Sequence, residues 1–205
     1  MLLPGSRHNE ISRLESRFIQ TALLLRKRHP ELQFVMSTPR QKTYEEAREI
    51  LRDMEIKNPE VKKLNIQLTC GDTAVQQQRC IAGLAASGTV TVESGLAGLP
   101  LVVAYRLSVF TLLLAAILVR KLFRNAFTMV NIILNRPAFE EFLQWQVRPR
   151  ALADAMERIL PGGSRRKQVE QDLVELRELL VFQGGKATEN AAGLILETLS
   201  QTDGK

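Results

Sequence analysis

The sequence predicts an α/β fold, a Rossmann-like parallel sheet with helices on both faces. Three observations carry this expectation. Short apolar runs alternate with longer segments of helical periodicity, the pattern of a sheet covered on both sides. The run Gly83–Ala86 stops at a small polar turn, Ser87-Gly88-Thr89; a segment ending at Gly98 then leads to a second run, Leu101–Ala104. A turn of the same kind, Pro4-Gly5-Ser6-Arg7, stands near the beginning of the chain. Parallel sheets place ligands at the carboxyl end of a strand and the amino end of the next helix. The two turns are therefore expected to hold one phosphate-bearing ligand between them.

In chain order, Met1-Leu2-Leu3 reads as the tail of a strand whose beginning lies upstream, so the chain is expected to be a fragment. Ile11, Leu14, Phe18, Ala22 and Leu25 recur at spacings of three and four and predict a helix. Ser6 is expected to cap it, Glu10 suits its first turn, and His29-Pro30 ends it. Leu32–Met36 reads as a buried strand. Pro39 introduces a second helix with Tyr44, Ala47, Leu51 and Met54 inward, and Asn58-Pro59 breaks it. Leu64–Leu68 reads as a strand and Asp72–Ile81 as a short helix leading to the Ser-Gly-Thr turn.

Beyond Tyr105 the texture changes. Leu107–Val119 carries no charge and is followed by Arg120-Lys121. The run is shorter than the ~20 apolar residues of a membrane-spanning helix. Two readings stay open, a buried core helix and a helix lying in a membrane interface. Asn131–Arg136 reads as a loop bounded by Pro137, Phe139–Leu143 as a short helix, and Pro149 opens a helix that Pro161-Gly162-Gly163 closes. Two further helical segments follow, one aligning Val169, Leu173, Leu176 and Leu180, the other spanning residues 188–199. They read as packing elements or an interface, and a homodimer is one expectation. The expected division is a sheet domain over residues 1–145 and a helical segment over 146–205.

The 205 residues suffice for one full core, and 45% hydrophobic with 24% charged residues is ordinary for a globular protein. The formal charge is +6. No acid lies between Glu93 and Glu140, whereas Arg106, Arg120, Lys121, Arg124 and Arg136 are basic, a distribution that favours phosphates. Cys70 and Cys80 are too few for a disulfide framework or a metal knuckle, and His8 and His29 are scattered. A reduced cytosolic setting fits best. There is no Walker-type lysine loop, no Gly-x-Gly-x-x-Gly fingerprint and no nucleophile elbow, so covalent or metal-based catalysis finds no support.

A phosphate cradle needs backbone N–H groups unobstructed by side chains and a helix dipole aimed at the charge. Ser87-Gly88-Thr89 offers both, with two hydroxyls besides. Glu93 follows Thr89 by one helical turn, where a carboxylate could accept the hydroxyls of a ribose. Arg7 could neutralise phosphate. On the residues alone, the blander readings are an ordinary capped helix, a solvated glutamate, which is the commoner case for a lone Glu, and a surface arginine.

Leu3-Pro4-Gly5-Ser6-Arg7 with Glu10-Ile11, Ala86-Ser87-Gly88-Thr89 through Glu93, and Pro100–Arg106 together resemble the C-terminal half of lipid-A-disaccharide synthases. The likeness continues through Val130-Asn131, Arg136 and Glu141-Phe142-Leu143-Gln144. It implies the donor-binding half of a GT-B-type glycosyltransferase. Members of that family join UDP-2,3-diacylglucosamine to 2,3-diacylglucosamine 1-phosphate, releasing UDP and forming a β-1,6 link with inversion and without a metal or other cofactor. Gly5, Ser6, Arg7, Ser87, Gly88, Thr89, Glu93, Asn131 and Arg136 match the family's UDP-sugar site. The general base and acceptor site are expected in an N-terminal domain that these residues do not include, so no catalytic residue is assigned and the chain alone is expected to be inactive.

Implied partners are the UDP-diacylglucosamine donor, a lipid acceptor and a membrane surface, with no nucleic acid. The implied location is peripheral, on the cytoplasmic face of the inner membrane. Two departures from the family pattern stand out: Val130 replaces a proline and Asn135 a glycine. Competing readings are another UDP-N-acetylhexosamine transferase or epimerase of the same fold, and a non-catalytic nucleotide- or membrane-binding module.

Overall fold

The computed structural model of the protein describes residues 1–106 and 126–180, together with residues 192, 193, 195 and 196. The apolar Leu107–Val119 segment, the basic residues Arg120, Lys121 and Arg124, and most of the closing 188–199 segment lie outside the described residues.

Six strands form one sheet: β1 (Leu2–Leu3), β2 (Val35–Thr38), β3 (Gln67–Cys70), β4 (Gly83–Ala86), β5 (Leu101–Tyr105) and β6 (Glu140–Leu143). Their order is β3-β2-β1-β4-β5-β6 and every pairing is parallel. The chain winds outward from β1 to β3, crosses back to β4, and winds outward again. The order therefore reverses between β1 and β4, the switch point at which such sheets open a crevice. The Rossmann-like expectation holds.

The helices follow from the periodicities. On α1 (His8–Arg28), Ile11, Leu14, Phe18, Ala22 and Leu25 are all buried. On α2 (Gln41–Lys57) the buried residues are Thr43, Ala47 and Leu51, with Met54 half-buried against the core, while Tyr44, expected inward, is only half-buried and lies outside the core cluster. Asn58 caps α3 (Pro59–Lys62), accepting the Glu60 N–H at 3.1 Å. After α4 (Thr73–Arg79) and α5 (Val90–Leu96), three more described helices follow: α6 (Met129–Leu134), α7 (Pro149–Ile159) and α8 (Arg166–Leu180). Val169, Leu173 and Leu176 of α8 are buried as their spacing predicts, and Leu180 is exposed.

Two elements differ from their sequence reading. Phe139–Leu143 is not a helix; its residues Glu140–Leu143 form β6, pairing in parallel with β5 from Val102↔Glu140 to Tyr105↔Leu143. Asn131–Arg136 is not a loop, for Met129–Leu134 is helical and only its end unwinds. Both differences have one cause. The Asn131 amide donates to the Phe139 carbonyl and to Glu141 Oε1, each at 2.8 Å, and its Oδ1 accepts the Phe139 N–H at 2.8 Å. The Glu141 carboxylate in turn accepts the N–H groups of Phe127 and Thr128 and the Thr128 hydroxyl at the amino end of α6. A carboxylate there stabilises the helix dipole. This long-range clamp aligns α6 and β6, and nothing in local periodicity announces it.

Smaller shifts occur elsewhere. β2 and β3 each begin three residues later than their apolar runs suggest, because Phe34 and Leu64 are buried in the approaches rather than in the ladders. Ser6 does not cap α1. Arg7 is the cap residue without a side-chain bond, and the Ser6 N–H donates to Glu10 Oε2 at 2.9 Å.

Candidate functional site

A cavity of about 480 Å³ opens at the carboxyl ends of the central strands. Two turns form its facing walls. Pro4–Arg7 leaves β1 and enters α1; Ser87–Thr89 leaves β4 and enters α5. Because β1 and β4 are paired neighbours, the turns that follow them meet across the switch point.

Gly5 is required where it stands. Its φ of +125° is one that L side chains rarely adopt, and an added Cβ would overlap the Glu10 side chain that holds the Ser6 N–H. On the opposite wall the Ser87 N–H donates to the Ala104 carbonyl at 3.1 Å, continuing the ladder. The N–H groups of Gly88 and Thr89 have no backbone acceptor among the described residues, and a Cβ at Gly88 would meet only open space. The buried Thr91 hydroxyl donates to the Gly88 carbonyl at 2.7 Å and braces the turn from below. Glu93 is exposed at the cavity rim.

Charges of both signs line the space. The Arg7 side chain is 82% exposed and lies 3.7 Å from Glu10, a separation that leaves it free to swing toward an anion. Glu10 and Glu93 supply the negative side. The floor comes from the other half of the sheet, where Ser37 at the end of β2 and Thr73 at the start of α4 share a hydrogen bond of 2.8 Å.

Seven of the nine expected site residues thus line one cavity: Gly5, Ser6, Arg7, Ser87, Gly88, Thr89 and Glu93. Asn131 and Arg136 do not line it. Asn131 is buried with its amide occupied by the clamp to Phe139 and Glu141. Arg136 donates from Nε to Asp172 Oδ1 at 2.9 Å and also pairs with Glu175, tying the end of α6 to α8. Hydrogen bonds and charge from Glu175 and Asp172 raise its pKa above the ordinary guanidinium value. The sequence reading missed Glu10, Ser37, Gly71 and Thr73 as lining residues. The signal was available for three of them, since Ser37, Gly71 and Thr73 fall at or just beyond the carboxyl ends of β2 and β3, like the turns that were noticed.

A larger cavity, about 740 Å³, opens at the amino ends of the strands beside Met1, Val35 and Ala82. Neither turn lines it, so the carboxyl-end cavity is the better candidate despite its smaller size. Among the described residues no cluster of three or more His, Cys, Asp or Glu is placed to hold a metal ion, and no helix is long and apolar enough to cross a membrane.

A family model described as lipid-A-disaccharide synthetase matches residues 1–195. The chain belongs to that family. Curated lipid-A-disaccharide synthases agree: one from Enterobacter sp. (strain 638) is 34% identical over 96% of the chain, one from Erwinia tasmaniensis likewise 34% over 96%, and one from Yersinia pestis 33% over 96%. In each case the match spans about half of the relative's length, 48%, 48% and 47%. Within this lipid-A-disaccharide synthetase fold the two departures are accommodated. Asn135 ends α6 at φ +51°, a left-handed position that asparagine tolerates better than most side chains, and Val130 is fully buried beneath it.

Proposed function

We propose that this chain is the donor-binding half of a lipid-A-disaccharide synthase, one that transfers 2,3-diacylglucosamine from UDP to 2,3-diacylglucosamine 1-phosphate. The observation that carries the reading is the meeting of the Pro4–Arg7 and Ser87–Thr89 turns around one cavity at the switch point of a chain from this family. In the transfer the acceptor hydroxyl attacks the anomeric carbon, the bond to UDP breaks, and charge develops on the departing diphosphate. Free N–H groups of Gly88 and Thr89, the hydroxyls of Ser87 and Thr89, and the exposed Arg7 guanidinium are suited to meet that charge. Glu93 at the rim is suited to accept the ribose hydroxyls. Asn131 and Arg136 enter this reading as residues that hold α6, β6 and α8 in place.

The general base and the acceptor site are assigned to a partner domain outside these 205 residues, so the chain alone is expected to bind UDP without turnover. Both substrates carry acyl chains, and a peripheral association with the cytoplasmic face of the membrane belongs to the same proposal. Calorimetric titration of the chain with UDP tests it. Saturable binding is expected, weakened about tenfold in Glu93→Ala by loss of hydrogen bonds to a charged acceptor. No binding would remove the donor-half reading, and unchanged binding in Glu93→Ala would remove the ribose role.

A further inference from the structure

A separate cavity, about 340 Å³, lies where α1, the ends of β5 and β6, and the start of α7 come together. Arg17 of α1, Arg106 after β5 and Arg148 before α7 line it, with Gln144 and Trp145 between them. It shares no lining residue with the switch-point cavity. Along α1, Arg17 stands about 15 Å beyond Arg7, at 1.5 Å per residue.

Three features of this cavity point to a ligand. The first is its charge. Its described lining contains three arginines and no acid, and among the described residues none of the three is paired with a carboxylate. Arg28, Arg136, Arg158, Arg165 and Arg166 all are. Backbone carbonyls orient two of the unpaired guanidiniums: Arg17 Nη1 donates to Arg13 at 2.9 Å and Arg148 Nε to Trp145 at 3.1 Å. Among the described residues the Arg106 Nε is buried without an acceptor. Burial, and then the charge of Arg106, lowers the pKa of Arg17, as expected for like charges held close together.

The second feature is Gln144. It is 8% exposed, its backbone is left-handed at φ +52°, and its Nε2 is buried with no partner among the described residues. An orphaned buried amide donor is destabilising unless a ligand takes it up. A left-handed glutamine adds strain to that. The third is Trp145, whose large apolar ring is 72% exposed beside the arginines.

We propose that this cavity binds a phosphate group, held by the guanidiniums of Arg17, Arg106 and Arg148 with the Gln144 amide as a further donor. A phosphate monoester has three terminal oxygens and close to two negative charges, a phosphodiester two oxygens and one charge, and either can accept from several guanidiniums and an amide at once. The phosphate can belong to a small soluble molecule or to a phospholipid headgroup. An indole beside cations at the rim suits the second source, since tryptophan favours the membrane–water boundary.

Trp145 is the only tryptophan in the chain, so its fluorescence reports on this cavity alone. The full chain is titrated with inorganic phosphate against potassium chloride of equal ionic strength, then with vesicles of phosphatidylglycerol against phosphatidylcholine. A saturable change with phosphate but not chloride supports the site and assigns a soluble ligand. A change confined to phosphatidylglycerol vesicles supports it and assigns a headgroup. In either case Arg148→Ala, an exposed position, and Gln144→Leu are each expected to weaken the response about tenfold, the worth of one charge-assisted hydrogen bond. Silence to both probes overturns the proposal. So does an equal response to chloride, or an unchanged response in Arg148→Ala with native circular dichroism.

Discussion

The centre of the sheet and its β6 side hold their loops by different means. Around β1 and β4 the backbone does the work. Gly5 takes a conformation other residues resist, Gly88 keeps its turn open, and N–H groups face a cavity whose side chains are mostly small. Around β5 and β6 side chains do it. Asn131 and Glu141 clamp α6 to β6, Arg136 ties α6 to α8, and Glu140 accepts Arg158 and Arg165. Burial works against the charge of Glu140, and the bonds from the two arginines outweigh it and hold its pKa below the usual carboxylate range. The cavities follow the same division, one walled by turns and the other by three arginines. A backbone-built site depends on a few glycines; a side-chain-built one depends on long-range partners.

That contrast can be broken first at Asn131. Replacing it by alanine leaves the Phe139 N–H and carbonyl buried without their partners and is expected to cost on the order of 3–4 kcal/mol in urea unfolding. A loss below about 1 kcal/mol, the usual range for a dispensable contact, would mean the clamp is not what aligns β6.

Glu15 tests the helix that both regions share. It is fully buried on α1 with neither carboxylate oxygen bonded among the described residues, and burial pushes its pKa up to about 9 from 4.5. A raised folded pKa means full stability below about pH 4.5 and progressive loss as pH rises toward 9. At pH 7 the penalty is of order 3 kcal/mol. Glu15→Gln, which mimics the neutral form, is expected to flatten the decline in unfolding free energy between pH 5 and pH 8. A variant that declines as steeply as the parent would place the titration elsewhere.

Gly5→Ala should have a smaller effect, about 2 kcal/mol from an unfavourable φ and overlap with Glu10. Its expected signature is a parallel loss of UDP affinity, since the turn and the cavity wall are the same residues. A stability loss with UDP affinity intact would separate the turn from the site.

The same division explains what was legible in the sequence. The helix stripe from Ile11 to Leu25, the strand at Gly83–Ala86 and both small-residue turns obey local rules, and they lie where those rules put them. That the two turns meet at the switch point comes from the sheet order, in which β1 and β4 are neighbours. Glu140–Leu143 was illegible because Glu140 and Glu141 face partners far along the chain, which hides the alternation of a strand. Asn131 reads as a turn residue until Phe139 and Glu141 are placed beside it. The arginine cavity was invisible for a similar reason, since Arg17, Arg106 and Arg148 are separated by most of the chain.

The central claim is that the turns after β1 and β4 together hold a nucleoside diphosphate. Amide chemical-shift mapping of the ¹⁵N-labelled chain during a UDP titration tests it most directly. The account predicts the largest shifts at Ser6, Arg7, Gly88 and Thr89, with the Trp145 indole little changed. Shifts absent from both turns, or concentrated at Gln144 and Trp145 instead, would contradict it.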